Sequence, residues 1–297
     1  MRQALLLTVG AMALYVVVRW LPIGTNLQHA DFQAAEGSGS SLEFCDPANP
    51  QFLPVVNVRS PIETRVRTLA PAQAGATIPV VLSLQTSGGK PIGPADLMIA
   101  HTRKLHVLAV DPTLTDYLHL HPEPGDVPGE WRFELTPQQA GVYRIFCDFT
   151  PRATGRGLYS SVDLPVEGHG TTPVASGPTV NWEAAAGAYR FSLTTESSVI
   201  RARAATDLTL TIRHEAGSPV RLGEVMGAYA HLVAFDEQRT GFAHLHPRDE
   251  GLTRAPEGSA PTLAFQVTIP EPGRYVIWAQ VNLEERDVFV PFWIDVV

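Results

Sequence analysis

The sequence predicts an all-β chain of two tandem β-sandwich domains behind an N-terminal membrane segment. Three observations carry this. The 297 residues include 25 prolines and 24 glycines that break the chain into many short apolar runs, which favours strands over helices. The length suits two domains of ordinary size. Finally, two halves of the chain match run for run.

The match can be followed along the chain. Thr77–Leu84 resembles Leu208–Arg213, each followed by a Gly-containing turn and a proline. Trp131–Leu135 matches Leu263–Val267. Gly141-Val-Tyr143 and Gly273-Arg-Tyr275 each open a strand, giving Arg144–Phe149 and Val276–Val281. About seven such runs in roughly 100 residues, with a proline- and glycine-marked approach to the penultimate strand, is the pattern of an immunoglobulin-like (cupredoxin-like) sandwich. The expected order is a membrane segment over 1–23, a flexible spacer over 24–50 and a first sandwich over 51–167. A linker over 168–178 and a second sandwich over 179–297 follow, the two domains standing in series on a stalk.

Arg2 followed by the apolar run Ala4–Val18, then Arg19 and Trp20, reads as a signal anchor, with a cleaved signal peptide as the alternative. The run reaches about 20 residues if Arg19 snorkels and Leu21–Ile23 are counted. Either way the remainder is expected in the periplasm or another extracytoplasmic space. The net charge of −8 lacks a basic stripe, which argues against nucleic acid as a partner. Cys45 and Cys147 either form one disulfide in that oxidising compartment or stand apart, with Cys147 near the first histidine cluster.

Histidine is the most informative residue. His106, His119 and His121 recur 125 residues later as His231, His244 and His246, so six of the ten histidines fall in two matching triplets. Lys104–Asp111 and Tyr117–His121 read as neighbouring strands joined by a turn. Pairing Asp111 with Asp116 sets His106 opposite His121, with His119 on the same face, because residues two apart in a strand share a face. Pairing Asp236 with Gly241 does the same for the second copy. Three imidazoles converging with an open fourth position suit copper or zinc. Five residues before each first histidine stand His101 and Met226, further candidate ligands, although Met98 is an alternative partner for Met226. Asp111 and Asp236 read as turn caps. Tyr117 and Phe242 share the histidine face and read as core, as do Trp131, Trp278 and Trp293. His29, His169 and His214 fall in linkers or turns and read as solvated.

In the first copy His101, Lys104, Leu105, His106, Tyr117, His119, His121, Pro122 and Glu123 form a pattern that resembles poorly characterised bacterial envelope proteins with repeated His-x-His-Pro β-sandwich motifs. Met226, Gly227, His231, Phe242, His244, His246 and Pro247 form its companion, with Arg248 where the first copy has Glu123. The resemblance covers about 25 residues per copy. There is a looser similarity to periplasmic copper-resistance β-sandwiches that bind Cu(II) through histidines. It implies a membrane-anchored metal-binding protein, copper favoured and zinc possible, acting as buffer, carrier or sensor. The residues alone leave two other readings open. One is an envelope scaffold or adhesion module with structural histidines and an envelope protein as partner. The other is a metal-dependent hydrolase, disfavoured because no general base, nucleophile elbow or phosphate loop is visible.

Overall fold

The computed structural model describes residues 2–20, 27–32, 51–168, 179–197, 199–248 and 255–297. The first unit contains β1 (Ile62–Thr68), β2 (Ile78–Thr86), β3 (Leu105–Val110), β4 (Tyr117–Leu120), β5 (Glu123–Pro124), β6 (Glu130–Leu135), β7 (Gly141–Phe149) and β8 (Leu158–Val166). They form two antiparallel sheets, ordered β1-β2-β6-β5 and β4-β3-β7-β8. Alternation explains the pairing of sheets: Ile78, Val80, Leu82 and Leu84 on β2 meet Leu105, Val107 and Ala109 on β3 and Tyr143 and Ile145 on β7.

The second unit repeats the plan with β9 (Glu183–Ala186), β10 (Tyr189–Thr194), β11 (Ala205–His214), β12 (Val220–Arg221), β13 (His231–Asp236), β14 (Phe242–Leu245), β15 (Glu257–Gly258), β16 (Thr262–Thr268), β17 (Gly273–Leu283) and β18 (Arg286–Val296). Its sheets are ordered β16-β11-β10-β9 and β14-β13-β17-β18, with a short β12-β15 pair beside them. The expected tandem sandwiches are present. The tyrosines that follow Gly141 and Gly273 tie down their corners: Tyr143 donates to Asp116, and Tyr275 to the Glu271 carbonyl at 3.0 Å.

The two sandwiches do not stand in series. Their histidine-bearing sheets pack face to face, and a third core fills the gap. Leu108, Val110, Tyr117, Phe146 and Tyr159 come from one side, and Val233, Phe235, Phe242, Val276, Trp278 and Trp293 from the other. Phe146 lies 5.9 Å from Phe235 and 5.3 Å from Phe242 between ring centroids, within the usual range for aromatic pairs. Strands β3 and β13 are therefore buried on both faces along their whole length.

Residues 51–57, at the head of the expected first sandwich, lie along the second. Phe52 packs edge-on against Tyr275 at 5.4 Å in the second core. Leu53 exchanges backbone hydrogen bonds with Phe242, at 2.8 and 3.1 Å. Within the expected spacer, Phe32 is buried against the first sandwich and Asp31 pairs with Lys90 at 2.5 Å, so this stretch is docked. Residues 33–50, including Cys45, lie outside the described residues, as do residues 169–178 of the expected linker. Cys147 is a free thiol in the first sandwich's core. Its strand turns it away from the histidine face, and burial pushes its thiol up to about 12.

The expected membrane segment forms a helix, Arg2–Trp20, on which Val9, Met12, Leu14, Tyr15, Val16 and Val17 are exposed. Among the described residues no helix is long and apolar enough to cross a membrane.

Gly241 admits the 51–57 segment, because a Cβ there would stand 1.7 Å from the Leu53 carbonyl oxygen. Gly241→Ala should expel the segment and expose Phe52, with a stability loss of about 2–5 kcal/mol. Urea unfolding and limited proteolysis near residue 57 read this out; an unchanged midpoint and cleavage pattern would contradict the docking.

Candidate metal centre between the two sandwiches

The site begins with two short turns. Ala100–Arg103 and Val225–Ala228 each close on themselves through paired backbone hydrogen bonds. Their second residues are His101 (φ 47°) and Met226 (φ 52°), and their third are Thr102 (φ 67°) and Gly227 (φ 80°). The turns are thus equivalent, which pairs His101, not Met98, with Met226. A β-branched residue at positive φ is uncommon, and such strain gathers at functional sites. The turns meet across the interface, where a Cβ on Gly227 would lie 3.3 Å from the Thr102 methyl.

Each turn aims a carbonyl at the first histidine of its own triplet. His106 Nε2 donates to the Ala100 carbonyl at 3.0 Å, and His231 Nε2 to that of Val225 at 2.9 Å. The hairpins that follow have the expected register, with Leu108 opposite His119 and Val233 opposite His244. Asp111 and Asp236 hold the turns by accepting backbone N–H groups, those of Asp116 and Gly241 among them. His121 and His246 follow the last paired residues and complete the triplets. His106, His119 and His121 each bring a ring nitrogen within 4.8 Å of the others, and so do His231, His244 and His246.

The second-layer partners cross the interface. His119 Nδ1 lies 3.0 Å from Oε1 of Gln280, a residue of the second sandwich. Gln280 Nε2 donates to Asp287 at 3.0 Å, which leaves its oxygen for the histidine. Conversely, His244 Nδ1 lies 3.3 Å from Asp148 Oδ2, a residue of the first sandwich. Each domain thereby orients the other's middle histidine. Gln280 and Asp148 were not anticipated from sequence. Their signal was available: each is the polar fifth residue of matched apolar runs, Arg144–Phe149 and Val276–Val281, and sits in register beside His106 or His231.

The two triplets form one cluster. His119 is 5.2 Å from His244 and 5.9 Å from His231 between ring centroids, and His106 is 5.8 Å from His244. His101 stacks flat on His246 at 3.6 Å, so this fourth imidazole of the first sandwich stands beside the second triplet. Met226 is half-buried in the matching turn.

Proton counting shows what this arrangement lacks. His106 Nδ1 and His119 Nε2 face each other at 3.3 Å. Their opposite nitrogens face the Ala100 carbonyl and the Gln280 amide oxygen, which only accept. Three contacts need a proton, and two neutral rings carry two. Once the outer N–H groups are satisfied, two lone pairs point at each other. With Asp148 ionised the second triplet repeats this, with His231 Nδ1 and His244 Nε2 at 3.2 Å. The Nε2 atoms of His121 and His246 are buried with no hydrogen-bond partner. A tetrahedral ion with bonds of about 2.0–2.1 Å to nitrogen separates its ligands by about 3.3 Å. The residues therefore fit a metal ion, and the outer partners are the oxygens that usually orient metal-binding imidazoles.

One family model matches most of both sandwiches. It is that of a domain of unknown function, DUF8832, and it covers residues 62–165 and 183–297. The chain belongs to the DUF8832 family. No curated protein matches it. Among solved structures, an Escherichia coli alpha-2-macroglobulin activated by porcine elastase is 14% identical with a TM-score of 0.26; the match covers 79% of this chain and 22% of that one. A DUF4785 family protein from Legionella pneumophila is 8% identical with a TM-score of 0.27, over 80% of this chain and 57% of that one. A Salmonella alpha-2-macroglobulin mutant is 11% identical with a TM-score of 0.26, over 79% and 16%. The DUF8832 chain thus spans less than two thirds of the length of each of these structures.

Burial sets the charge of this DUF8832 cluster. Desolvation, followed by repulsion from neighbouring imidazoles, holds His119, His244 and His246 well below the usual histidine range. Desolvation also takes His121 down to about 4 and His231 to about 3, and lowers His106 and His101. At neutral pH the rings are uncharged, the form that ligates metal. Unfolded histidines take up protons near pH 6.5, whereas folded His121 and His231 stay neutral down to about 4 and about 3, and burial holds the other rings below the usual range. The metal-free protein should therefore be fully stable above pH 6.5 and lose stability steadily as the pH falls towards 4. Urea midpoints at pH 7.5, 6, 5 and 4 measure this; a flat profile would contradict the buried neutral cluster.

Proposed function

We propose that the protein binds transition-metal ions through two three-histidine sites, His106/His119/His121 and His231/His244/His246, and acts as a metal buffer, carrier or sensor. The observation that carries this is the facing pair of nitrogens in each triplet, short of one proton and next to a third imidazole whose buried Nε2 has no hydrogen-bond partner. Copper is favoured and zinc is the alternative. Imidazole suits both, and a thioether such as that of Met226 favours Cu(I) as a ligand. The positively charged end at Arg2 and the exposed apolar side chains of the N-terminal helix support an envelope location, with segment 1–23 as the membrane attachment.

Metal titration of the full chain in detergent tests this reading. The wild type should bind two copper or zinc ions. His119→Ala with His121→Ala should remove one, and His244→Ala with His246→Ala the other. Undiminished stoichiometry in both double variants would contradict it. A wild type that binds nothing, with both variants merely less stable, would leave an envelope scaffold with structural histidines.

A further inference from the structure

Resting on that reading, we propose that the two triplets form one asymmetric two-metal centre spanning the domain interface, whose second half holds the more strongly charged ion. Three observations converge. First, the rings of the two triplets lie against each other across the interface at 5.2–5.9 Å, with no protein layer between them. Second, the supporting groups are exchanged, Gln280 serving His119 and Asp148 serving His244. Neither triplet has its complete outer shell within its own sandwich. Third, the exchange joins unlike groups at equivalent positions. The second triplet is hydrogen-bonded by a carboxylate and flanked by the imidazole of His101. The first is hydrogen-bonded by a neutral amide and meets that carboxylate only as the neighbour of His106 across the β3–β7 register.

The chemical consequence is electrostatic. A carboxylate accepting from the far nitrogen of a ligating imidazole raises that imidazole's basicity, and in a dry setting it offsets part of the ion's charge. An amide oxygen orients the ring and adds no charge. The second triplet therefore favours a divalent ion, Cu(II) or Zn(II), over a monovalent one. The first triplet is the better place for a singly charged ion such as Cu(I). Filling both halves also clamps the sandwiches together, since each domain supplies three ligands and one support for its neighbour.

Cupric chloride titrated into the full chain and followed by calorimetry and electron paramagnetic resonance tests this. Without reductant two Cu(II) ions should bind to wild type, the first triplet filling second and more weakly, and the second ion should distort or quench the signal of the first through spin coupling. His119→Ala with His121→Ala should restore an isolated one-copper spectrum. Asp148→Asn should weaken one of the two steps by about 10–100-fold. That loss should persist when the first triplet is removed and vanish when His244 and His246 are removed, although Asp148 belongs to the first sandwich. Two coppers with simple additive spectra would overturn the shared centre while leaving the two sites standing. A loss from Asp148→Asn that disappears with the first triplet would overturn the exchange of supports. A wild type that binds no copper would remove the proposed function and this inference together.

Discussion

Four buried imidazoles and two half-buried ones lie between two sheets, and that constraint organises the molecule. An imidazole removed from water needs partners for both nitrogens. The structure gives outward partners to four of the six and turns the inner nitrogens on one another. It does this with backbone carbonyls at two strained turns and with Gln280 and Asp148 reaching across the interface. The surrounding aromatics, from Tyr117 and Phe146 to Trp278 and Trp293, keep water out of the layer. Without the packing of the two sandwiches the middle histidines of both triplets would lose their supports.

This packing also explains the sequences of β3 and β13. In an ordinary sandwich strand one face is apolar and the other polar. Here both faces are covered, so Leu105–Val110 and His231–Asp236 are nearly continuous apolar runs in which histidine is conspicuous. Duplication then yields two similar halves. The halves differ at many positions, among them Asp148 against Gln280 and His101 against Met226 beside the cluster, whereas the two histidine triplets are identical.

The sandwiches and the hairpin register were legible in the sequence. Asp111 and Asp236 close turns of fixed length, and the pairing they impose places each His-x-His beside its earlier histidine. The face-to-face docking was not legible, because period-two alternation disappears when both faces are buried. For the same reason Tyr117 and Phe242 read as core without revealing that the core is shared between domains. Residues 51–57 read as the start of the nearest sandwich, yet Phe52 and Leu53 cross to the second, where Gly241 leaves room for them. Asp148 and Gln280 are not legible in a single repeat, because one polar residue in an apolar run resembles strand noise until the repeats are superposed.

X-ray absorption of the metal-loaded full chain reads the ion's first neighbours. Ligation by the histidine triplets gives a shell dominated by about three imidazole nitrogens at about 2.0 Å, with the outer-ring scattering that imidazole produces. A shell of oxygens alone, as for an ion held at surface carboxylates or by water, would contradict it.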